Sequence, residues 1–156
     1  MNLNISLLTF FLSILLFSSC ASKKEPTRVK ASEDESLAVN FIKGPSLMDV
    51  VEKAEREGKL VFVDLYTDWC LPCKLMKEDV YTDESIGDFM NDNFINYKVN
   101  AEKANGPNMT VLYNIESFPG LLFLDANGRV LEQKQGAAYH TELREMANRA
   151  LAKSTL

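Results

Sequence analysis

The segment LVFVDLYTDWCLPCK, residues 60–74, decides the fold of this 156-residue chain. Its first seven residues are nearly all apolar, which predicts a central strand buried on both faces. Cys70 and Cys73 follow at the expected start of a helix. Because positions i and i+3 share one helix face there, the two sulfurs can reach bonding distance. A strand, a cysteine pair and a helix in this order indicate a dithiol that cycles with a disulfide.

The helix start predicts a different role for each cysteine. Cys70 lies where unpaired backbone N–H groups and the positive end of the helix dipole favour thiolate over thiol, so we expect it to be the exposed nucleophile. Cys73, one turn further on, is expected to be the buried thiol that resolves the mixed disulfide. Pro72 rigidifies the loop without losing a hydrogen bond, because a first-turn N–H has no partner within its helix.

Two other interpretations of the pair stay open, a structural disulfide and half of a zinc site. A tetrahedral zinc site takes four ligands, and the only other cysteine or histidine residues are Cys20 and His140. This shortage disfavours zinc, and we expect neither a metal nor a cofactor. We expect His140 to lie at the start of the last helix rather than to act in catalysis.

The segment VDLYTDWCLPCK resembles the active-site strand and helix of the thioredoxin superfamily, and the resemblance extends from about Val39 to the C-terminus. Three later features come in the expected order: Phe118-Pro119-Gly120, the turn Ala126-Asn127-Gly128, and Gly136-Ala137-Ala138. The resemblance implies an α/β thioredoxin fold, with a central mixed sheet of about four to five strands flanked by helices. The chain is most similar to short thioredoxin-like domains of bacterial cell envelopes, including the C-terminal domain of the transmembrane disulfide reductase.

The resemblance implies a proton acceptor near the pair. Asp64 interrupts an apolar strand, and in thioredoxins the matching position is a buried acid that accepts the proton of the resolving cysteine, here Cys73. Lys98 corresponds to a lysine that thioredoxins place near that acid. The alternatives are that Asp64 faces solvent at a strand edge and that Lys98 is a solvated lysine at a strand end.

The resemblance also implies a docking surface for substrate. Pro119 would be a cis-proline facing the cysteine pair, beside which an extended substrate segment can pair with the backbone. Trp69, Phe118, Gly136 and Ala137 would line the same shallow apolar groove.

Leu71 and Pro72 lie between the cysteines, where the dipeptide tunes the reduction potential. Leu71 stands where thioredoxins commonly have Gly, and Phe118 is bulkier than the usual residue before the cis-proline. We therefore expect the substrate shape and the potential to differ from those of thioredoxin.

The amino-terminal part of the chain predicts export and anchoring. Residues 1–19 are a predicted lipoprotein signal peptide, whose apolar run is shorter than the roughly 20 residues that a membrane-spanning helix needs. The sequence Phe17-Ser18-Ser19-Cys20 resembles a bacterial lipobox, so Cys20 is the expected lipidation site. An uncleaved anchor is the alternative. Residues 20–38 are predicted to form a flexible tether, and residues 39–156 the thioredoxin-like domain.

The formal net charge is −5, and an acidic domain disfavours nucleic acid as a partner. These features predict a monomeric thiol-disulfide oxidoreductase, lipid-anchored in the bacterial envelope and facing the periplasm, with the outer membrane favoured because Ala21 replaces the Asp used for inner-membrane retention. Its substrates would be protein disulfides and its electron donor a membrane protein. Two alternatives remain, a disulfide oxidase of the same fold and a non-catalytic peptide-binding or folding-helper module.

The hydrophobic pattern also predicts the elements of the domain. Strands are expected at 39–42, 60–66 and 94–99 with a hairpin over 121–133, and helices at 46–58, 71–81, from 83 onward, at 107–113 and at 141–152.

Overall fold

Five strands form one mixed sheet in this computed structural model, which describes residues 37–154. They are β1 (Phe41–Ile42), β2 (Leu60–Tyr66), β3 (Phe94–Asn100), β4 (Gly120–Leu124) and β5 (Val130–Gln135), in the order β1-β3-β2-β4-β5. β3 pairs in parallel with both β1 and β2, whereas β4 runs antiparallel to β2 and β5. The predicted mixed sheet is confirmed.

Helices cover the two faces of this sheet. They are α1 (Leu47–Glu57), α2 (Leu71–Leu75), α3 (Glu84–Asn93), α4 (Gly106–Leu112) and α5 (His140–Ser154). Because side chains of a strand alternate between faces, Phe62 of β2 enters one apolar cluster while Val61, Val63 and Leu65 enter the other. The predicted central strand is therefore buried on both faces, with residues 61–65 all buried.

The predicted signal peptide, Cys20 and residues 20–36 of the predicted tether lie outside the described residues. Leu37 and Ala38, which the prediction placed in the tether, pack on the domain: Leu37 contacts an apolar cluster, and the Ala38 N–H donates to the Tyr81 carbonyl at 2.8 Å. Within residues 37–154, no helix is long and apolar enough to cross a membrane.

The helix that follows the cysteine pair differs from the single helix predicted over 71–81. After α2 the backbone changes to a π-helical turn over Met76–Val80, and the Tyr81 N–H donates to the Met76 carbonyl, five residues back, at 3.0 Å. A π turn holds one residue more than an α turn, so it redirects the side chains that follow it. Here the redirected residue is Tyr81, which is fully buried.

The remaining boundaries differ from the predictions by a few residues, as is usual at element ends. Ser46 caps α1 with Asp49 in a capping box, and Gly58 ends it at φ 64°. The predicted turn between β4 and β5 is present, and Gly128 adopts φ 76° in it. His140 begins α5, as expected.

Candidate active site

Cys70 and Cys73 are joined by a disulfide, with their Cα atoms 5.3 Å apart. Cys70 is the residue that caps α2, and Cys73 lies in the first turn behind Pro72. The Cys73 N–H donates to Sγ of Cys70 at 3.1 Å. A backbone donor aimed at this sulfur stabilises negative charge on it once the bridge opens.

The expected exposure of Cys70 is wrong for this bridged state. Cys70 is only 3% exposed and Cys73 4%, whereas the side chains on either side of Cys70 are exposed. Those flanking residues are Trp69 and Leu71, 66% and 64% exposed. In the bridged state, the exposed surface at this place is therefore formed by Trp69 and Leu71 and not by Cys70.

Asp64 and Lys98 form a buried ion pair. They face each other across the parallel β2–β3 ladder, and Nζ of Lys98 lies 2.7 Å from Oδ2 of Asp64. The two side chains are 2% and 6% exposed respectively. The structure thus places both residues inside the domain and excludes the solvent-facing alternatives.

Lys98 connects this pair to the cysteines through a cavity of about 420 Å³. Cys73 and Lys98 both line it, together with Thr67, whose buried hydroxyl has no hydrogen-bond partner among the described residues. The rest of the lining consists of Lys43, Tyr66, Asp68, Lys74 and Lys77. Cys73 and the lysine of the buried ion pair therefore border the same cavity.

Three aromatic rings surround the ammonium group of Lys98. Nζ lies 5.0 Å from the ring centre of Phe41, 4.8 Å from that of Tyr66 and 5.0 Å from that of Tyr81. Such contacts stabilise a cation that has left water. Sequence reasoning missed this cage, because its rings come from separate parts of the chain.

Four of the five residues predicted to form the docking groove come together in two pairs, Pro119 with Gly136 and Trp69 with Phe118. The Phe118–Pro119 bond is cis, as expected, and the Pro119 carbonyl accepts the Gly136 N–H at 2.8 Å. The Trp69 ring packs edge-on against Phe118, with ring centres 6.0 Å apart. Ala137 is partly buried against an apolar cluster.

A second loop holds Trp69 in place, and sequence reasoning missed it. The Trp69 indole N–H donates to Glu102 at 2.9 Å, and Lys103 pairs with Asp68 at 2.7 Å. The hydrogen bond from Lys103 is the largest influence lowering the pKa of Asp68. One sequence signal was present: both loops follow parallel strands, whose carboxyl ends meet at one sheet edge.

His140 lies away from these groups, at the start of α5. Its Nε2 is 3.1 Å from the Asp79 carbonyl oxygen and 3.9 Å from the Asp83 carboxylate. Within residues 37–154, no group of three or more His, Cys, Asp or Glu side chains is placed to hold a metal ion.

Comparisons with known proteins agree with this geometry. The chain is 29% identical to the thiol:disulfide interchange protein DsbD of Tatumella citrea over 113 residues, which are 71% of this chain and 19% of that protein. The chain thus spans about a fifth of the length of this relative. A thioredoxin from Thermus thermophilus, 16% identical, shares the fold with a TM-score of 0.65 over 75% of this chain and 90% of that one.

Two further matches cover most of the described domain. The solved structure of a proposed disulphide-isomerase from Bacteroides thetaiotaomicron is 32% identical, with a TM-score of 0.67 over 74% of this chain and 95% of that chain. The model of the family described as thioredoxin-like domain matches residues 47–151, which include Asp64, the cysteine pair, Lys98 and Pro119. Because this match covers more than half of the chain, the chain belongs to the thioredoxin-like domain family.

Proposed function

We propose that this protein is a thiol-disulfide oxidoreductase that reduces disulfides of proteins in the bacterial cell envelope. The observation that carries the proposal is the Cys70–Cys73 bridge at a helix start, with Cys73 on the wall of a cavity that also contains Lys98 of a buried ion pair. A purely structural bridge would need neither the cavity nor the buried carboxylate.

The reaction proceeds in two exchanges, in which Cys70, Cys73 and Asp64 are the catalytic residues. In the reduced protein the Cys70 thiolate attacks one sulfur of the substrate disulfide, and the other substrate sulfur leaves as a thiolate. Cys73 then gives its proton to Asp64 and attacks Sγ of Cys70. The Cys70–Cys73 bond forms, the bond to the substrate breaks, and the second substrate sulfur leaves. The substrate gains two electrons and the pair becomes the disulfide seen in the structure.

The groove around Trp69 and Pro119 positions the substrate for the first exchange. The exposed Trp69 ring and the half-buried Phe118 present an apolar surface beside Cys70, which suits an extended unfolded segment. Gly136, whose N–H donates to the Pro119 carbonyl, and the adjacent Ala137 would extend this surface. This arrangement favours disulfides in flexible segments over those buried in folded cores.

Two considerations support reduction rather than oxidation. Relatives that match much of this chain are named thiol:disulfide interchange proteins. In addition, strong oxidants stabilise their reduced form, whereas the buried carboxylate of Asp64 opposes a second negative charge near the pair. Leu71 and Pro72 adjust the resulting potential. The electrons would come from a membrane protein that reduces the bridge.

The amino-terminal sequence supports a position at the membrane. The proposed signal peptide of residues 1–19 would be removed, lipid on Cys20 would anchor a monomer facing the periplasm, and the outer membrane is favoured by Ala21. Lipidation of Cys20 would also leave Cys70 and Cys73 as the chain's remaining thiols. Mass spectrometry of the protein purified from bacterial membranes tests this: a Cys20 without acyl chains would contradict the anchor.

The function is tested by reduction of insulin disulfides with a chemical dithiol as electron source. We expect activity from the full chain and from Cys20→Ser, and complete loss in Cys70→Ser. Cys73→Ser should instead accumulate a mixed disulfide on Cys70, which identifies the substrates when it is isolated from envelope extracts. Retained activity in Cys70→Ser would favour a peptide-binding module, and transfer of the bridge to reduced substrates in glutathione buffers would favour an oxidase.

A further inference from the structure

Tyr81 occupies a buried position that the π turn creates. The turn over Met76–Val80 delivers Tyr81 onto the ion pair of Asp64 and Lys98, and its backbone is fixed there because its carbonyl accepts the N–H groups of Ala38 and Val39 at 2.8 and 3.1 Å. π turns of this kind often occur at functional sites. The ring lies over the Lys98 ammonium group, 5.0 Å from it.

Two buried polar atoms at this place lack a partner. Oδ1 of Asp64 and the hydroxyl of Tyr81 are both buried, and neither has a hydrogen bond of standard geometry among the described residues. The Asp64 oxygen is a hydrogen-bond acceptor and the Tyr81 hydroxyl is a donor. Leaving both without a hydrogen bond costs free energy in an interior without water. Burial raises the pKa of Tyr81 well above 10, and the charge of Asp64 and its hydrogen-bonding contact raise it further. Lys98 brings the two side chains together, because its Nζ lies 2.7 Å from Oδ2 of Asp64 and 5.0 Å from the centre of the Tyr81 ring.

We propose that Tyr81 is a positioning residue for the second exchange: its hydroxyl donates to Oδ1 of Asp64, while Lys98 donates to Oδ2, and together they hold the carboxylate that accepts the Cys73 proton. The inference rests on the proposed function of the pair. It assigns the ring and the hydroxyl of Tyr81 separate tasks: the ring lies against the Lys98 ammonium group, and the hydroxyl is the proposed donor to Asp64.

The charged and titratable groups near Asp64 are few. Lys98 pairs with it from β3, Tyr81 approaches from the end of the π turn, and Cys73 lines the cavity that Lys98 also borders. The outer groups that line the cavity are Lys43, Tyr66, Asp68, Lys74 and Lys77. Among Lys98, Tyr81 and Cys73, only Tyr81 can lose its polar atom while keeping an aromatic ring.

The Tyr81→Phe variant provides the test. The reduced full chain, held in detergent, is mixed with one equivalent of an aromatic disulfide whose thiolate is coloured. The first equivalent of thiolate reports attack by Cys70, and the second reports resolution by Cys73. Loss of the hydroxyl leaves Oδ1 of Asp64 buried without a donor, so the carboxylate is less well positioned to accept the Cys73 proton. We expect the second release to slow about tenfold near neutral pH and its pH midpoint to rise by about one unit, while the first release is unchanged.

Two controls separate this effect from a loss of structure. Tyr97→Phe removes another buried hydroxyl, which donates to the Pro45 carbonyl at 2.6 Å on the other face of the sheet, and should leave the midpoint unchanged. Tyr81→Phe added to Asp64→Asn should cause no further change in the second release. An unshifted pH midpoint in Tyr81→Phe, or an equal shift in Tyr97→Phe, would overturn the role of Tyr81 but leave the proposed function intact. Release of a single equivalent by the wild-type protein would overturn the two-exchange mechanism and the proposed function with it.

Discussion

The indole N–H of Trp69 donates to Oε1 of Glu102 at 2.9 Å, across a sequence separation of 33 residues. The two residues come from loops that follow β2 and β3, and the same loops are joined by the ion pair of Lys103 with Asp68. The position of Trp69 beside Cys70 therefore depends on the loop after β3. The residues adjacent to Trp69 in sequence do not fix its position by themselves.

Replacing Glu102 should loosen the docking surface without affecting the sulfur chemistry. In Glu102→Ala the Trp69 ring loses its polar anchor, so we expect the KM for a protein disulfide to rise roughly twofold to fivefold, since a single exposed hydrogen bond contributes about 1 kcal/mol or less. Reaction of Cys70 with a small disulfide should keep its rate. Trp69 is the only tryptophan, so its fluorescence reports the change directly. Glu55→Ala, an exposed change in α1, is the control, and an equal rise in KM there would refute the role of Glu102.

The ion pair of Lys98 with Asp64 should be important for stability. In Lys98→Met the Asp64 carboxylate is left buried without its counter-ion, and removing one partner of such a pair costs about 3–5 kcal/mol. Urea unfolding of the full chain measures the loss. We expect the double variant Lys98→Met with Asp64→Leu to recover much of it, because no unpaired charge then remains inside.

The surface pair of Lys103 with Asp68 is a matched control for this experiment. Its N–O distance is also 2.7 Å, but its side chains are 67% and 60% exposed. Water and salt screen such a pair, so Lys103→Met should cause no measurable loss of stability. If Lys103→Met and Lys98→Met proved equally destabilising, burial would not be the cause of the difference.

The sequence was sufficient to predict the features that depend on local chemistry. The cysteine spacing predicted a bridge at a helix start, and the apolar run predicted a central strand buried on both faces. Resemblance to thioredoxins supplied the cis bond before Pro119 and the partnership of Asp64 with Lys98, and the structure contains both. In each case the prediction came from a short stretch of sequence or from positions matched to those of thioredoxins.

Features that depend on the folded arrangement could not be predicted in this way. The π turn accommodates one extra residue within the helix, and no residue preference in 71–81 indicates such a turn. The placement of Tyr81 was therefore missed. The burial of Cys70 is seen only in the folded, bridged state, in which the neighbouring Trp69 and Leu71 are exposed instead. The bond of Trp69 to Glu102 appears only once β2 and β3 are adjacent.

Asp125 should make the turn between β4 and β5 sensitive to acid. Burial acts to raise the pKa of Asp125, but the N–H groups of Arg129 and Asn127 and the Arg129 guanidinium outweigh it, so the pKa is lowered from 3.8. A carboxyl group with a lowered pKa in the folded state stabilises the protein above its unfolded pKa, and the contribution is lost as pH falls through the folded value. We expect Asp125→Asn to be less stable than the wild type by about 1 kcal/mol at pH 7.

Urea unfolding as a function of pH checks the sign of this effect. The difference between wild type and Asp125→Asn should be constant at neutral pH and should shrink below about pH 4, where the unfolded carboxyl becomes protonated. Asp88→Asn, at an exposed position of α3, is the control and should show no such trend. A difference that grew on acidification would mean that the turn does not favour the ionised carboxyl.

A substitution at Gly87 tests whether residues 37 and 38 pack as part of the domain. A glycine within a helix usually costs about 1 kcal/mol relative to alanine, so helix propensity predicts that Gly87→Ala is stabilising. In the structure an added Cβ would lie 2.5 Å from the Cβ of Ala38 and 2.6 and 2.7 Å from its carbonyl carbon and oxygen. The opposing atoms are largely backbone and cannot move aside without disturbing the bond from the Ala38 N–H to Tyr81.

We therefore expect Gly87→Ala to lower the free energy of unfolding by about 1–3 kcal/mol, as overpacking does in close-packed interiors. Amide hydrogen exchange should show the largest loss of protection at Ala38 and Val39, whose N–H groups donate to the Tyr81 carbonyl. Asp88, the next residue in α3, is exposed, so Asp88→Ala measures the effect of helix propensity alone. If Gly87→Ala stabilised the protein as much as Asp88→Ala, the segment before β1 would not be packed against α3, and the tether would extend to β1.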